Sequence, residues 1–251
     1  MIDLTGRLAL VTGGSRGIGA ACVRALGSAG AGVAFSYRER QEAAVELYDE
    51  LQSSGIRSFP IRADLAERAD CERLVREAVS ELGGLDILVH NAGIWTAGPI
   101  ESMPEEVWRE TMRVNLDSAF YVTRTAVPHL RGKGYGRIIY VSSTAGQRGE
   151  AGHSHYAASK GAIQSLTKSL AMELAPDAIT VNAVAPGWVI TEMVTGVLSD
   201  REIEATGREI PLGRMADPAE IAGPVAFLAS DLAAHITGEI LNVNGGSVLC
   251  G

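Results

Sequence analysis

The chain is expected to fold as α/β: a doubly wound parallel sheet with helices on both faces, a three-layer α/β/α sandwich. Three observations carry that expectation. Short apolar segments alternate with longer amphipathic ones throughout, the short segments are apolar at consecutive positions, and a glycine-rich turn joins the first short segment to the first long one. Strands apolar on both faces belong to a parallel sheet covered on both sides, and their crossovers are right-handed. No linker, low-complexity tract or internal repeat breaks the pattern, so residues 1–251 read as a single domain.

The elements follow in order. The first strand, 7–12, carries Leu8-Ala9-Leu10-Val11 and stops at a glycine pair; the helix after it covers 18–30. A second strand at 32–37 is built on Val33-Ala34-Phe35 and leads to a polar-faced helix at 41–53. Strand 56–61 and helix 69–82 complete a third unit, and Leu85 to His90 forms the fourth strand. A long helix is expected at 104–131, then strand 137–142 around Ile138-Ile139-Tyr140-Val141. Helix 154–175, strand 179–183, helix 218–230 and strand 239–243 finish the alternation. Only 188–211 falls outside it: turn residues and polar helical fragments follow Pro186-Gly187, and such an insertion at a strand end is expected to act as a substrate lid.

Composition narrows the function. Lysine plus arginine is 22 and aspartate plus glutamate is 30, a net charge of −8, so neither nucleic acid nor an anionic membrane surface is an expected partner. With 46% hydrophobic and 21% charged residues the chain is an ordinary globular one. Cys22, Cys71 and Cys250 are far apart and odd in number, which suggests neither disulfides nor a thiolate zinc site. Met1-Ile2-Asp3-Leu4 lacks the basic start and apolar core of a secretory leader, and no apolar run approaches membrane-spanning length, so a cytoplasmic protein is expected.

Thr12-Gly13-Gly14-Ser15-Arg16-Gly17-Ile18-Gly19 lies between a strand and a helix. Glycines allow the backbone to approach a phosphate, and the helix N-terminus supplies free N–H groups and a positive dipole end. Glycine-rich turns also occur in methyltransferases and flavoproteins, and some are only turns; the strand before and helix after favour a nucleotide site. The second strand ends at Tyr37-Arg38, where an NAD site usually carries an acidic residue and an NADP site tolerates arginine. Arg38, with Arg16 in the turn itself, points to NADP(H), although Arg38 and Arg40 also fit ordinary solvated loop positions.

Tyr156 and Lys160 form Tyr-x-x-x-Lys on an expected helix, one turn apart on one face. A free tyrosine titrates near pH 10, and lowering that by about 3 units requires roughly 4 kcal/mol, which a cation about 4 Å away supplies at an effective dielectric of 20. By itself the spacing often marks nothing more than an exposed helix face.

With its surroundings it marks more. Thr12–Gly19, Asp64-Leu65, Asn91-Ala92-Gly93, Asn115, Ser143, Tyr156/Lys160, Pro186-Gly187 and Thr191, followed by Ile236 to Glu239 and Asn244-Gly245-Gly246, occur in the order and on the elements of one family. Along nearly its whole length the chain resembles the short-chain dehydrogenase/reductases, and within them it is most similar to the bacterial 3-oxoacyl-[acyl carrier protein] reductases. The resemblance implies a Rossmann-type fold and NADPH-dependent reduction of a ketone.

It also implies roles. Tyr156 would be the general acid, and Lys160 would hold the nicotinamide ribose hydroxyls and lower the Tyr156 pKa. Ser143, thirteen residues before Tyr156, would bond the substrate carbonyl oxygen in preference to Ser142. Asn115 would anchor a proton-relay water, or satisfy backbone groups at a helix kink. Gly13, Ser15, Arg16, Gly17, Ile18 and Gly19 would cradle the cofactor phosphates, with Arg38 on the 2′-phosphate. Asp64 and Leu65 would meet the adenine, Asn91 and Gly93 would line the cofactor path, and Pro186, Val189 and Thr191 would meet the nicotinamide end. The family's usual Asn-Asn-Ala-Gly reads His90-Asn91-Ala92-Gly93, and His90 is expected only to pack.

His153 and His155 have no ligand cluster around them, so no metal is expected, and they should border the substrate cleft. Trp95 and Trp188 would wall it, or simply pack. Carrier-protein reductases commonly carry arginines where this chain has Gly134 and Asp177; Arg124 and Arg131, with Lys133 and Arg137 in the following turn, would form a compensating basic edge for an acidic acyl carrier protein, or a merely solvated one. The resemblance further implies that helices 104–131 and 154–175 pair with their symmetry mates in a homotetramer. Three readings stand: a 3-oxoacyl thioester reductase, a reductase of another small ketone, sugar or alcohol, and a non-catalytic nucleotide-sensing protein.

Overall fold

In β1 (Leu8–Thr12), Ala9 and Val11 point to one side of the sheet and Leu10 to the other, and all three are fully buried. That alternation, repeated strand after strand, is why the strands read as continuous apolar runs: each feeds two cores at once. Residues 2–249 are described by a computed structural model. Cys250 lies outside the described residues.

After β1 come α1 (Gly17–Ser28), β2 (Gly32–Tyr37), α2 (Gln41–Ser53), β3 (Ser58–Arg62), α3 (Arg68–Leu82) and β4 (Ile87–His90). The second half runs α4 (Glu105–Met112), a π turn (Arg113–Asp117), α5 (Ser118–Leu130), β5 (Gly136–Val141), α6 (Ala145–Arg148), α7 (Ser154–Leu174) and β6 (Ile179–Pro186). It ends with α8 (Glu192–Thr195), α9 (Asp200–Glu209), α10 (Pro218–Ala229) and β7 (Ile240–Val243). The seven strands are parallel, in the order β3-β2-β1-β4-β5-β6-β7. This is the expected Rossmann-type sandwich.

One core joins Val11, Phe35, Val89, Ile139 and Val184 to Val23 and Leu26 of α1 and Val225 of α10. The other joins Leu10, Leu88, Ile138 and Val181 to Leu74 of α3, Val122 of α5 and Ile163 of α7. Strand order reverses between β1 and β4, and the crevice at such a reversal, at the carboxyl ends of the strands, is where ligands bind in this class of sheet.

One expectation changes. The helix expected at 104–131 is continuous in direction but carries the π turn at its centre, where Asn115 sits. The 188–211 segment holds helical fragments, as expected, in α8 and α9: Ser199 and Glu202 form a capping box for α9, and Val194, Ile210 and Met215 make a small core against Trp188, Leu198 and Ile203.

Candidate active site

The turn after β1 is held by its neighbours. Gly13 donates to Ser36 Oγ (3.0 Å) and Gly14 to the Ser36 carbonyl (2.8 Å). Asn91 Nδ2 donates to the carbonyls of Thr12 (3.1 Å) and Gly13 (3.0 Å), and Thr12 Oγ1 accepts from the N–H groups of Asn91 and Ala92. Gly19 cannot be replaced here, because a Cβ would lie 2.0 Å from the Gly13 carbonyl. No side chain caps α1, and Gly17 and Ile18 at its start line the cleft beside the turn.

One cleft of about 390 Å³, within the range of small-molecule sites, runs from this turn to the end of β6. Its nucleotide end has Gly13, Ser15, Arg16, Gly17, Ile18, Arg38, Asp64 and Leu65; its other end has Ser143, Tyr156, Lys160, Pro186, Val189 and Thr191, with Asn91 and Gly93 between. Of the expected site residues, only Gly19 and Asn115 do not line it; Gly19 backs the turn and Asn115 stands behind Gly93. Arg38 pairs with Glu39 at 2.9 Å. Arg40 lines the same end.

The strand–turn–helix order sets the polar cluster. Ser142 and Ser143 follow β5, while Tyr156 and Lys160 lie on the first turns of α7. Ser142 Oγ is buried and donates to the Lys160 carbonyl (3.0 Å), which leaves Ser143 as the hydroxyl beside Tyr156. Lys160 is 5% exposed; its Nζ donates to the Val141 carbonyl (2.8 Å) and lies 5.8 Å from the Tyr156 ring centroid. A Cβ on Gly93 would come within 3.3 Å of both Lys160 Nζ and Asn115 Oδ1, so glycine keeps this junction open. Asn115 Oδ1 accepts from Ile94 N–H (2.8 Å), and its Nδ2 donates to Ile94 O (3.0 Å) and Ser159 Oγ (3.1 Å). The side chain thus satisfies backbone groups beside the π turn.

The electrostatics differ from expectation. Burial pushes the Tyr156 phenol up to about 12, with the Ser143 hydrogen bond pulling it down and Glu150 pushing it up. Burial also lowers Lys160, to about 8. The expected lowering of Tyr156 by Lys160 is not found: desolvation of the phenol dominates, and the group that opposes it is the Ser143 hydroxyl.

Trp95 and Trp188 wall the cleft as expected, but the histidines do not border it. His153 stands behind Trp95, its ring stacked on the indole at 4.5 Å and 7°. His155 is fully buried, with Nε2 3.1 Å from Thr96 Oγ1. Among the described residues no three His, Cys, Asp or Glu side chains are grouped to hold a metal.

Sequence reasoning missed Glu150 and Arg148, both on the cleft wall. They sit on α6 and the turn after it, a short irregular stretch without periodicity. The expected basic edge is largely neutralised: Arg124 pairs with Glu72, Arg131 with Asp177 and Lys133 with Asp86. Arg137 is in β5 rather than the turn, 4% exposed, its guanidinium 4.0 Å from the Tyr135 ring centroid.

A family model described as Enoyl-(Acyl carrier protein) reductase matches residues 13–247. The 3-oxoacyl-[acyl-carrier-protein] reductase FabG of Staphylococcus aureus is 42% identical over 95% of this chain and 96% of its own. The chain belongs to the short-chain dehydrogenase/reductase family. It is an oxidoreductase of CH–OH and ketone groups. The FabG of Vibrio cholerae is 42% identical over 98% of both chains. Among solved structures, a dehydrogenase/reductase from Sinorhizobium meliloti superposes with a TM-score of 0.93 at 42% identity, covering 99% of this chain and 97% of that one. A blue fluorescent protein from a metagenomic library, in complex with NADPH, superposes with a TM-score of 0.93 at 38% identity, covering 98% and 100%. The family signature thus falls on the cleft: glycine turn, serine, tyrosine and lysine meet in one crevice.

Proposed function

We propose that the protein reduces a 3-oxoacyl thioester to the 3-hydroxyacyl thioester with NADPH. The observation that carries this is the single cleft joining Ser143, Tyr156 and Lys160 to a glycine turn flanked by Arg16 and Arg38. The cradle fits a dinucleotide: free helix N–H groups for the phosphates, two guanidiniums for a 2′-phosphate, and Asp64 for an adenine amine. Bound NADPH supplies the hydride. Ser143 Oγ donates to the carbonyl oxygen of the substrate, stabilising the charge that develops there. Tyr156 Oη gives its proton to that oxygen, so the C=O bond becomes CH–OH. Lys160 orients the nicotinamide ribose and restores the Tyr156 proton along a path past Asn115. Val189 and Thr191 position the carboxamide, with the 188–211 segment as lid. A phenol held near 12 stays protonated at neutral pH, which suits the reducing direction.

The same proposal takes acyl carrier protein as the carrier to which the acyl substrate stays bound, the protein as cytoplasmic, and the assembly as a homotetramer; the FabG relatives support the first. A small ketone free of any carrier is the second reading, favoured by the carboxylate pairing of Arg124, Arg131 and Lys133. Nicotinamide absorbance decides between them, with acetoacetyl carrier protein, acetoacetyl-CoA, crotonyl-CoA and neutral ketones as substrates and NADPH or NADH as donor. Oxidation of NADPH by the acetoacetyl thioesters, with little by crotonyl-CoA, is expected. Activity on crotonyl-CoA alone would make the protein an enoyl reductase, and activity on neutral ketones alone would establish the second reading.

A further inference from the structure

Trp95 follows Ile94, whose backbone is clamped by Asn115, and it lies two residues beyond Gly93 at the Lys160 ammonium. Its ring is held on three sides. His153 stacks against one face at 4.5 Å, Glu150 Oε1 accepts from Nε1 at 3.1 Å, and Trp188 meets it edge-on at 5.8 Å. His153 Nδ1 is itself 3.6 Å from Glu150 Oε1 and 3.2 Å from the Ala151 carbonyl, to which it donates when that nitrogen carries the proton. Trp188 is fixed in turn by the small core of Val194, Ile210 and Met215. Both indoles line the cleft, whereas His153 does not.

A lone tryptophan at a cleft wall swings aside when a longer ligand enters. An indole stacked, hydrogen-bonded and abutted by a second indole does not, because each displacement breaks a contact worth about 0.5–1.5 kcal/mol. We propose that Trp95 is a fixed end wall that restricts the site to 3-oxo substrates with a short acyl substituent, and that His153 and Glu150 are the positioning residues that keep it rigid. Trp95 shares the cleft lining with Ser143, Tyr156 and Lys160, which puts the indole on the space open to a group carried by the reacting carbonyl. The inference rests on the ketone-reducing reading of the cleft, and it concerns the length of the substrate, not its carrier.

The test is a length series: 3-oxoacyl-CoA thioesters and ethyl 3-oxoesters, each with four-carbon and ten-carbon acyl chains, followed with NADPH. Wild type is expected to prefer the short chain in kcat/KM by about tenfold or more. Trp95→Leu should reduce that ratio by about tenfold by raising kcat/KM for the long chain. His153→Ala should loosen the wall and move the ratio the same way, whereas His153→Phe, which preserves the stack, should restore it; loss of general stability would not sort substrates by length. Equal rates for both lengths in wild type would overturn the proposal. So would a short-chain preference that survives both Trp95→Leu and His153→Ala. Reduction of ethyl esters but not thioesters, with the length preference intact, would uphold the fixed wall and reject the thioester reading; no reduction of either class would reject both.

Discussion

Tyr156 and Lys160 are perturbed in opposite directions for the same reason. Each is disfavoured in its charged form by burial, so the phenol rises to about 12 and the ammonium falls to about 8. General acid catalysis by a positioned side chain is worth roughly 10²–10⁴-fold. Tyr156→Phe should therefore lower kcat by about 100-fold or more while NADPH binding, measured by fluorescence titration, stays near wild type. Turnover within about tenfold of wild type would end the assignment of Tyr156 as the acid. His90 is the other residue whose titration matters. Burial, and then the charge of Lys160, pushes it down to about 3. Below its ordinary value of 6.5 the unfolded chain takes up a proton that the folded chain refuses, so its contribution lowers stability as pH falls from 6.5 towards 3. The cost should reach about 2 kcal/mol by pH 5. His155, also lowered mainly by burial, acts in the same direction. His90→Asn should narrow the difference between urea midpoints at pH 7 and pH 5; an unchanged difference would show that His90 is not held neutral.

At the scale of elements, the site depends on two departures from regular structure. One is the turn into α1, where Gly19 lies against the Gly13 carbonyl and Asn91 ties both the turn and β1 together. Gly19→Ala must move that carbonyl and with it the N–H groups of the turn. The expected result is an NADPH Kd higher by about tenfold or more, which is about 1.4 kcal/mol, with an unaltered circular dichroism spectrum. An unchanged Kd would mean that phosphates do not bind at this turn. The other departure is the π turn between α4 and α5. It sets the Asn115 side chain on the backbone of Ile94, just ahead of Trp95, and so couples a helix irregularity to the wall of the cleft.

For the molecule as a whole, the parallel sheet gathers the carboxyl ends of β1, β4, β5 and β6 along one edge of the sandwich, and the cleft follows that edge. The opposite question is what covers the outer faces of α4, α5 and α7. Trp108, Phe120 and Met172 are exposed there, at 38%, 48% and 81%. Exposed aromatic and long apolar side chains on the helices expected to pair fit an oligomer better than a monomer. Light scattering should give a tetramer, and Phe120→Glu should shift it towards smaller species. A wild-type mass of 26.4 kDa would dispose of the homotetramer.

Most strands and helices were legible within two residues, because their signals are local: apolar runs bounded by glycines, and amphipathic stretches between them. The glycine turn and the Tyr156/Lys160 pair were legible for a related reason, since each motif is confined to a few consecutive positions or one helical turn, whereas Ser143 was singled out from Ser142 only by the family resemblance. What the tertiary structure decided was set by contacts distant in sequence. Residues 95 and 153 meet in a stack, Arg131 finds Asp177, and Arg137 enters a buried strand beside Tyr135. No pattern along the chain encodes those partners. The pKa of Tyr156 belongs to the same class: its motif shows a cation one helical turn away, but the desolvation that raises the phenol, and the Ser143 hydroxyl that opposes it, exist only once β5, α7 and the turn after β4 are packed together.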